Sequence, residues 1–191
     1  MMLRRTLLAA ALAFGASVGA APALPGDSIY QLPLRLNDQD GTAFPLARSQ
    51  GRLVIATMFY TSCQYVCPML IDALRDTLAA LPAPDRGRVD VLMVSFDPAR
   101  DTSDVLRHTF EQRHLEHPQW TLARTDSAGT RKLAALLGIR YRQLADGDFN
   151  HTSALILLDG QGRIIGRTST IGQADPVFVR LAQDALRGEP H

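Results

Sequence analysis

RLVIATMFY, Arg52 to Tyr60, runs directly into TSCQYVCPML, Thr61 to Leu70. The first stretch is a continuous apolar run of strand length, the pattern of a strand buried on both faces. The second holds both cysteines of the 191-residue chain, Cys63 and Cys67, separated by three residues. Helical spacing follows, with Leu70, Leu74, Leu78 and Leu81 on one stripe until Leu81-Pro82-Ala83-Pro84 ends it. The order is a buried strand, a cysteine loop and a helix.

The same alternation continues downstream. Val89 to Phe96, VDVLMVSF, reads as a second buried strand, and Asp101 is predicted to cap a helix over Thr102 to Leu115, with Asp104 favouring its dipole. Trp120 to Ala123 reads as a short strand and Ala128 to Leu137 as a helix closed by Gly138. Thr152 to Leu158 and Arg163 to Thr168 form a hairpin across Asp159-Gly160-Gln161-Gly162, and Pro176 to Leu186 a last helix stopped by Gly188. Upstream, Leu32, Leu34 and Leu36 alternate before the turn at Asn37 to Gly41. Strands separated by helices imply a parallel central sheet. The expected class is therefore α/β, a thioredoxin-like central sheet with flanking helices, an N-terminal strand extension, an inserted middle segment and a terminal β-hairpin.

The composition, 46% hydrophobic and 20% charged, is that of one globular domain. The first residues differ in kind. Arg4 and Arg5 precede an apolar run from Leu7 to Val18 and then Gly19-Ala20-Ala21, a secretory signal pattern with cleavage near Ala20 or Ala23. Residues 1–23 are thus expected to be a signal peptide and residues 24–191 the domain. An uncleaved membrane anchor is the competing reading, but the run holds 12 residues where a bilayer span needs about 20. No cysteine lies near the cleavage zone to carry a lipid. Without Arg4 and Arg5 the charge is near −1, with no basic patch of the kind nucleic acid requires.

Outside the cytoplasm a cysteine pair can persist as a disulfide. It can also serve as a redox pair or hold a soft metal ion, and the three-residue spacing alone does not choose. A structural staple closing so small a loop adds little. Pro68 suits a first helical position, which predicts Cys67 as the helix N-cap and both sulfurs as activated by the free N–H groups there. Two thiolates favour a soft ion such as Cu(I), with Zn(II) competing, and call for a third ligand. His151, just before the Thr152 strand, is the candidate, against the plainer alternative of a loop histidine held by backbone hydrogen bonds.

The remaining donors read as structural. His108 offers no comparable placement, and His114 and His117 lie in a polar segment expected to be a solvated helix face. Met58, Met69 and Met93 fall at positions expected to fill the core. Asp97, Pro98, Arg100 and Asp101 follow a strand end on the cysteine side, where they could support the cysteine site from behind, although turn and cap roles account for them.

Taken together, FYTSCQYVCP, VSFDPARDT and FNHTSALILLDGQG, with His151 placed 84 residues after Cys67, resemble the SCO/SenC family of copper-binding thioredoxin-like proteins. The resemblance covers roughly Asp27 to Thr168. It implies Cys63, Cys67 and His151 as ligands of one copper ion, Cu(I) or Cu(II). It further implies a periplasmic metallochaperone, a monomeric binding protein rather than an enzyme, that supplies the binuclear copper subunit of cytochrome c oxidase or another periplasmic copper protein. Reduction of that subunit's cysteines is a second role attached to the family. The alternative is a thiol–disulfide oxidoreductase in which Cys63 and Cys67 are the redox pair. The chain departs from the family pattern at Gln64 and Tyr65, where a proline and an acidic residue are usual, and at Asn150, where an acidic residue precedes the histidine.

Overall fold

All seven side chains of β3 (Leu53–Phe59) are buried, as the unbroken apolar run requires. In the computed structural model, which describes residues 23–188, β3 lies inside a seven-stranded sheet. The other strands are β1 (Arg35–Asp38), β2 (Ala43–Pro45), β4 (Val89–Ser95), β5 (Trp120–Arg124), β8 (Leu155–Leu158) and β9 (Ile164–Thr168), in the order β2-β1-β5-β4-β3-β8-β9. β3, β4 and β5 are parallel, and the β8–β9 hairpin adds antiparallel to β3. β1 runs antiparallel to β5 and carries β2 on its outer side, the N-terminal extension expected from the sequence. The predicted signal segment falls on residues 1–22 and Ala23, so all but its last residue lies outside the described residues.

The helices are α1 (Val66–Ala80), the single turn α2 (Ala83–Arg86), α3 (Ser103–Gln112), α4 (Ser127–Leu136) and α5 (Pro176–Arg187). α5 packs against α1, β3 and β9, and α3 against β5 and β1. Asp175 caps α5 through the N–H groups of Val177 and Phe178, and Gly188 ends it in the left-handed conformation at φ 74°. Leu70, Ala73, Leu74 and Leu78 of α1 point into the core, so burial follows the predicted stripe.

Several local expectations need correction. α1 starts at Val66 with Tyr65 at its cap, placing Pro68 third in the helix and Cys67 inside its first turn. The first N–H groups of a helix have no intrahelical partner, so a proline is tolerated there beyond the very first position. Asp101 does not cap α3; Thr102 does, through Val105 N–H. α3 also stops at Gln112, and His114 adopts φ 50°, so His114 and His117 share no helix face. His117 stacks on Phe110 with centroids 4.5 Å apart. Met58 and Met93 are fully buried, but Met69 is 41% exposed because it lies on the outward side of α1. The strand expected from Thr152 begins only at Leu155. Its predicted start is drawn off into a separate two-stranded ribbon, β6 (Tyr141–Gln143) with β7 (Phe149–His151), in which Tyr141 pairs with His151.

Candidate metal centre

Beyond β3 the chain turns sharply, with Cys63 N–H donating to Tyr60 C=O at 3.3 Å, and so reaches α1 within a few residues. Tyr65 offers α1 no side-chain cap. The Cys63 sulfur does that work instead, accepting the Cys67 N–H at 3.4 Å. The free donors of a helix start stabilise a negative charge placed over them.

The two sulfurs consequently differ. The Cys67 thiol donates to Cys63, and the N–H groups of Cys67, Tyr65 and Val66 assist against the cost of burial, so the Cys63 pKa is lowered to about 5. The Cys67 pKa moves upward, because its proton is held toward Cys63 and because the side chain is buried. That thiol also lies 3.3 Å from Tyr60 C=O. The pair holds one proton near neutral pH, and it stays on Cys67. The expectation of two activated sulfurs is therefore half right, since only Cys63 is a thiolate. Because the thiolate is the nucleophile, iodoacetamide should alkylate Cys63 at a rate that falls below a midpoint near pH 5 and is flat above it. Peptide mapping should find Cys67 unmodified in the folded chain. A midpoint at the ordinary thiol value of about 8.5 would contradict this arrangement.

Asp101 holds the loop from behind. It is 1% exposed and accepts from Thr61 N–H at 3.1 Å, from the Thr61 hydroxyl at 2.5 Å and from the Ser95 hydroxyl at 2.5 Å. Burial raises its pKa, and those hydrogen bonds oppose the rise. Ser95 ends β4, so this carboxylate ties the cysteine loop to the neighbouring strand. An Asp before a helical segment usually caps it, which is the role expected for Asp101; its place after a strand end on the cysteine side, within VSFDPARDT, is the signal that points to the loop instead.

His151 stands on β7, which reaches the cysteine loop through aromatic side chains. Its ring meets Tyr60 edge-on at 5.8 Å and Phe96 at 4.9 Å between centroids. Phe149 packs on Tyr60 at 5.1 Å, and Tyr141 stacks on Phe96 at 5.3 Å. Tyr60 donates its hydroxyl to Asp148, which ties the turn of the ribbon to the end of β3, a contact no local pattern encodes. Arg100 pairs with Asp97 and donates to Gly147 C=O, fastening the ribbon's turn to the loop after β4. His151 Nδ1 lies 3.4 Å from Thr152 C=O and 3.5 Å from Ser153 Oγ. The fold thus brings Cys63 and Cys67 together and sets His151 on the adjoining ribbon. Among the described residues, no three Cys, His, Asp or Glu side chains stand close enough to share an ion as they are.

Gln64 and Tyr65 lie on the open side of this loop. With Arg100 and Asp148 they line a shallow cleft of about 280 Å³, and Tyr65 is 80% exposed.

The SCO1/SenC family profile matches residues 23–184. The chain belongs to the SCO1/SenC family. Among relatives of this SCO1/SenC chain, Protein SCO2, mitochondrial, of Saccharomyces cerevisiae is 32% identical over 82 residues, covering 43% of this chain and 27% of the yeast protein. The SCO2-like protein of Rickettsia prowazekii is 24% identical over 139 residues, 69% of this chain and 65% of the relative. The chain therefore spans between about a quarter and two thirds of the length of these curated relatives. In three dimensions it resembles the copper-bound ScoI of Bradyrhizobium japonicum, with TM-score 0.65 and 24% identity over 81% of this chain and 96% of that one. This solved relative shares the thioredoxin-like fold seen here.

Proposed function

We propose that this SCO1/SenC chain is a copper-binding protein that holds one copper ion at Cys63, Cys67 and His151 and passes it to a copper protein of the oxidase assembly pathway. The observation that carries the reading is the Cys63 sulfur, which accepts the Cys67 N–H at the start of α1 and so sits beside a second cysteine; its lowered pKa agrees with that placement. Thiolate sulfur is soft and suits Cu(I), and a neutral imidazole suits copper in both oxidation states. Copper binding releases the remaining proton from Cys67, as ligand sulfurs must be deprotonated. His151, on the adjoining β6–β7 ribbon, would supply the third ligand. Family membership and a copper-bound structural relative support the metal. One relative of the same fold is described as a member of the Sco family of cytochrome c oxidase assembly proteins, which supports an acceptor within oxidase assembly; the binuclear copper subunit is the acceptor proposed here. The basic, apolar start supports export to the periplasm.

A thiol–disulfide oxidoreductase is the second reading, favoured by the division of protons between the sulfurs. Cys63 thiolate would attack a substrate disulfide and release one substrate thiolate. The Cys67 thiol, on losing its proton, would then attack the mixed disulfide, leaving Cys63–Cys67 oxidised and the substrate reduced.

The two readings share the cysteines and part at His151. The reduced chain, titrated anaerobically with Cu(I) and Cu(II), should bind one ion. His151→Ala should weaken copper retention at least on the order of tenfold while leaving disulfide exchange largely intact. Copper retention unaffected by the substitution would remove His151 from the site.

A further inference from the structure

The β6–β7 ribbon that carries His151 is basic on its open side. Tyr141 and Phe149 turn inward onto Phe96, and successive side chains of a strand point to opposite faces. Arg140, Arg142 and Asn150 therefore share the outward face. Asn150 pairs directly with Arg142, and Thr152 N–H donates to Arg140 C=O at 2.8 Å, so both arginines face neutral residues across the ribbon. With Tyr141 and His151 these four line a shallow cleft of about 300 Å³. Arg142 and Tyr141 also line a second cleft, of about 360 Å³, together with Arg131 of α4. Burial raises the Tyr141 pKa and Arg131 opposes the rise, which agrees with a guanidinium on the ribbon's side of α4.

These three guanidinium groups lack counter-charges. Arg48, Arg52, Arg88, Arg100 and Arg163 each meet a carboxylate. Arg131, Arg140 and Arg142 are exposed, and among the described residues none of their side chains has a carboxylate or carbonyl partner. Asp97 is the one carboxylate residue lining either cleft; it is 4% exposed and bonded to Arg100. Like charges on one face repel, a cost that an incoming anion removes. The fold assembles this cluster, since no long basic run marks it in the sequence.

We propose that this face docks a carboxylate-rich segment of the protein that accepts the copper. The occupant follows from the copper-transfer reading, on which the proposal rests. An acceptor that exchanges ligands with the metal must come up against the residues around His151, and Arg142 lies one register position from it. A bilayer surface has the negative charge but no soft ligands to receive the ion. Arginine forks match carboxylates through two parallel hydrogen bonds, so the fit is to Asp and Glu side chains. At such a rim, charge chiefly sets the rate of encounter and its salt dependence. Copper moves as Cu(I), with no electron transferred. A two-cysteine acceptor gives up two thiol protons on binding it; one returns to Cys67 and the other goes to solvent.

Two fluorescein-labelled peptides provide the test, one of Glu-Ser repeats and one of Gln-Ser repeats, each ending in the same Cys-Ser-Ser-Ser-Cys. With the chain reduced and free of copper, fluorescence anisotropy should show the Glu peptide bound roughly tenfold tighter at about 20 mM salt. The preference should vanish at about 500 mM, where charges are screened within a few ångströms. Arg140→Gln with Arg142→Gln should remove it, and Asn150→Asp, which sets a carboxylate opposite Arg142, should reduce it about threefold. Arg107→Gln with Arg180→Gln, an equal loss of charge at arginines lining neither cleft, should leave it intact. All of these side chains are exposed. The Cu(I)-loaded chain should also transfer copper faster to the Glu peptide, and only while Arg140 and Arg142 are present. Equal binding of the two peptides, a preference that survives in the ribbon variants, or equal transfer rates would each overturn the proposal. Capture of phosphatidylglycerol vesicles in place of the Glu peptide, with the same arginine dependence, would overturn it in favour of a membrane contact. Docking is read without copper. A chain that fails only to take up Cu(I) therefore strikes the copper reading and with it the occupant, whereas one that loads Cu(I) but shows no preference strikes the docking face alone.

Discussion

Cys67→Ser is expected to lower Cu(I) retention at least on the order of 100-fold, because serine replaces a soft donor by a hard hydroxyl that stays protonated. The choice of serine is deliberate. The largest contribution to the low Cys63 pKa is the hydrogen bond from residue 67, and a serine hydroxyl can still donate to that sulfur. The backbone N–H of residue 67 also remains. Cys63 should therefore keep its thiolate and its rapid alkylation at pH 6 while the chain loses copper. Competition against a Cu(I) chelator, run beside iodoacetamide labelling, separates the two effects. Retention of copper with unchanged affinity would mean that Cys67 is not a ligand and serves only to donate to Cys63.

Phe96→Ala carries the largest expected cost in stability. Phe96 is 2% exposed and packs on Tyr60, Tyr141, Phe149 and His151 at 4.9 to 5.3 Å between centroids. A buried Phe→Ala change costs about 3–5 kcal/mol. Here the loss should fall unevenly, since Phe96 is the side chain on which the β6–β7 ribbon rests. Denaturant unfolding should show the drop in midpoint, and amide exchange should show the ribbon opening more readily than the parallel strands. Copper affinity should fall with it, because His151 rides on that ribbon. A cost below about 1 kcal/mol, with ribbon exchange unchanged, would mean that other contacts hold β7 in place.

The parts of this fold legible in the sequence are those set by long-period burial. RLVIATMFY and VDVLMVSF could only be buried strands, and the leucine stripe after Pro68 only a helix against them, so the parallel centre followed. The terminal hairpin was legible from its Asp-Gly-Gln-Gly turn, and α5 from Pro176 and Gly188. What escaped was settled by single local contacts. The start of α1 moved to Val66 because the Cys63 sulfur caps it across four residues, which no cap propensity encodes. Asp101 was drawn from α3 to the cysteine loop by Thr61 and Ser95, a pairing visible only once β3 and β4 lie side by side. His151 could be picked out as a donor, but its seat beside Tyr60 depends on a three-residue ribbon too short and too polar to leave a period in the sequence. The difference between the two thiols likewise comes from where one proton is held, and CxxxC spacing carries no trace of it.

Copper K-edge X-ray absorption of the reduced chain loaded with one equivalent of Cu(I) reads the ligand set directly. The proposed centre predicts two sulfur scatterers and one imidazole per copper, with the imidazole signature lost in His151→Ala and one sulfur lost in Cys67→Ser. A spectrum with fewer than two sulfurs, or one whose imidazole contribution is absent or survives His151→Ala, would contradict it.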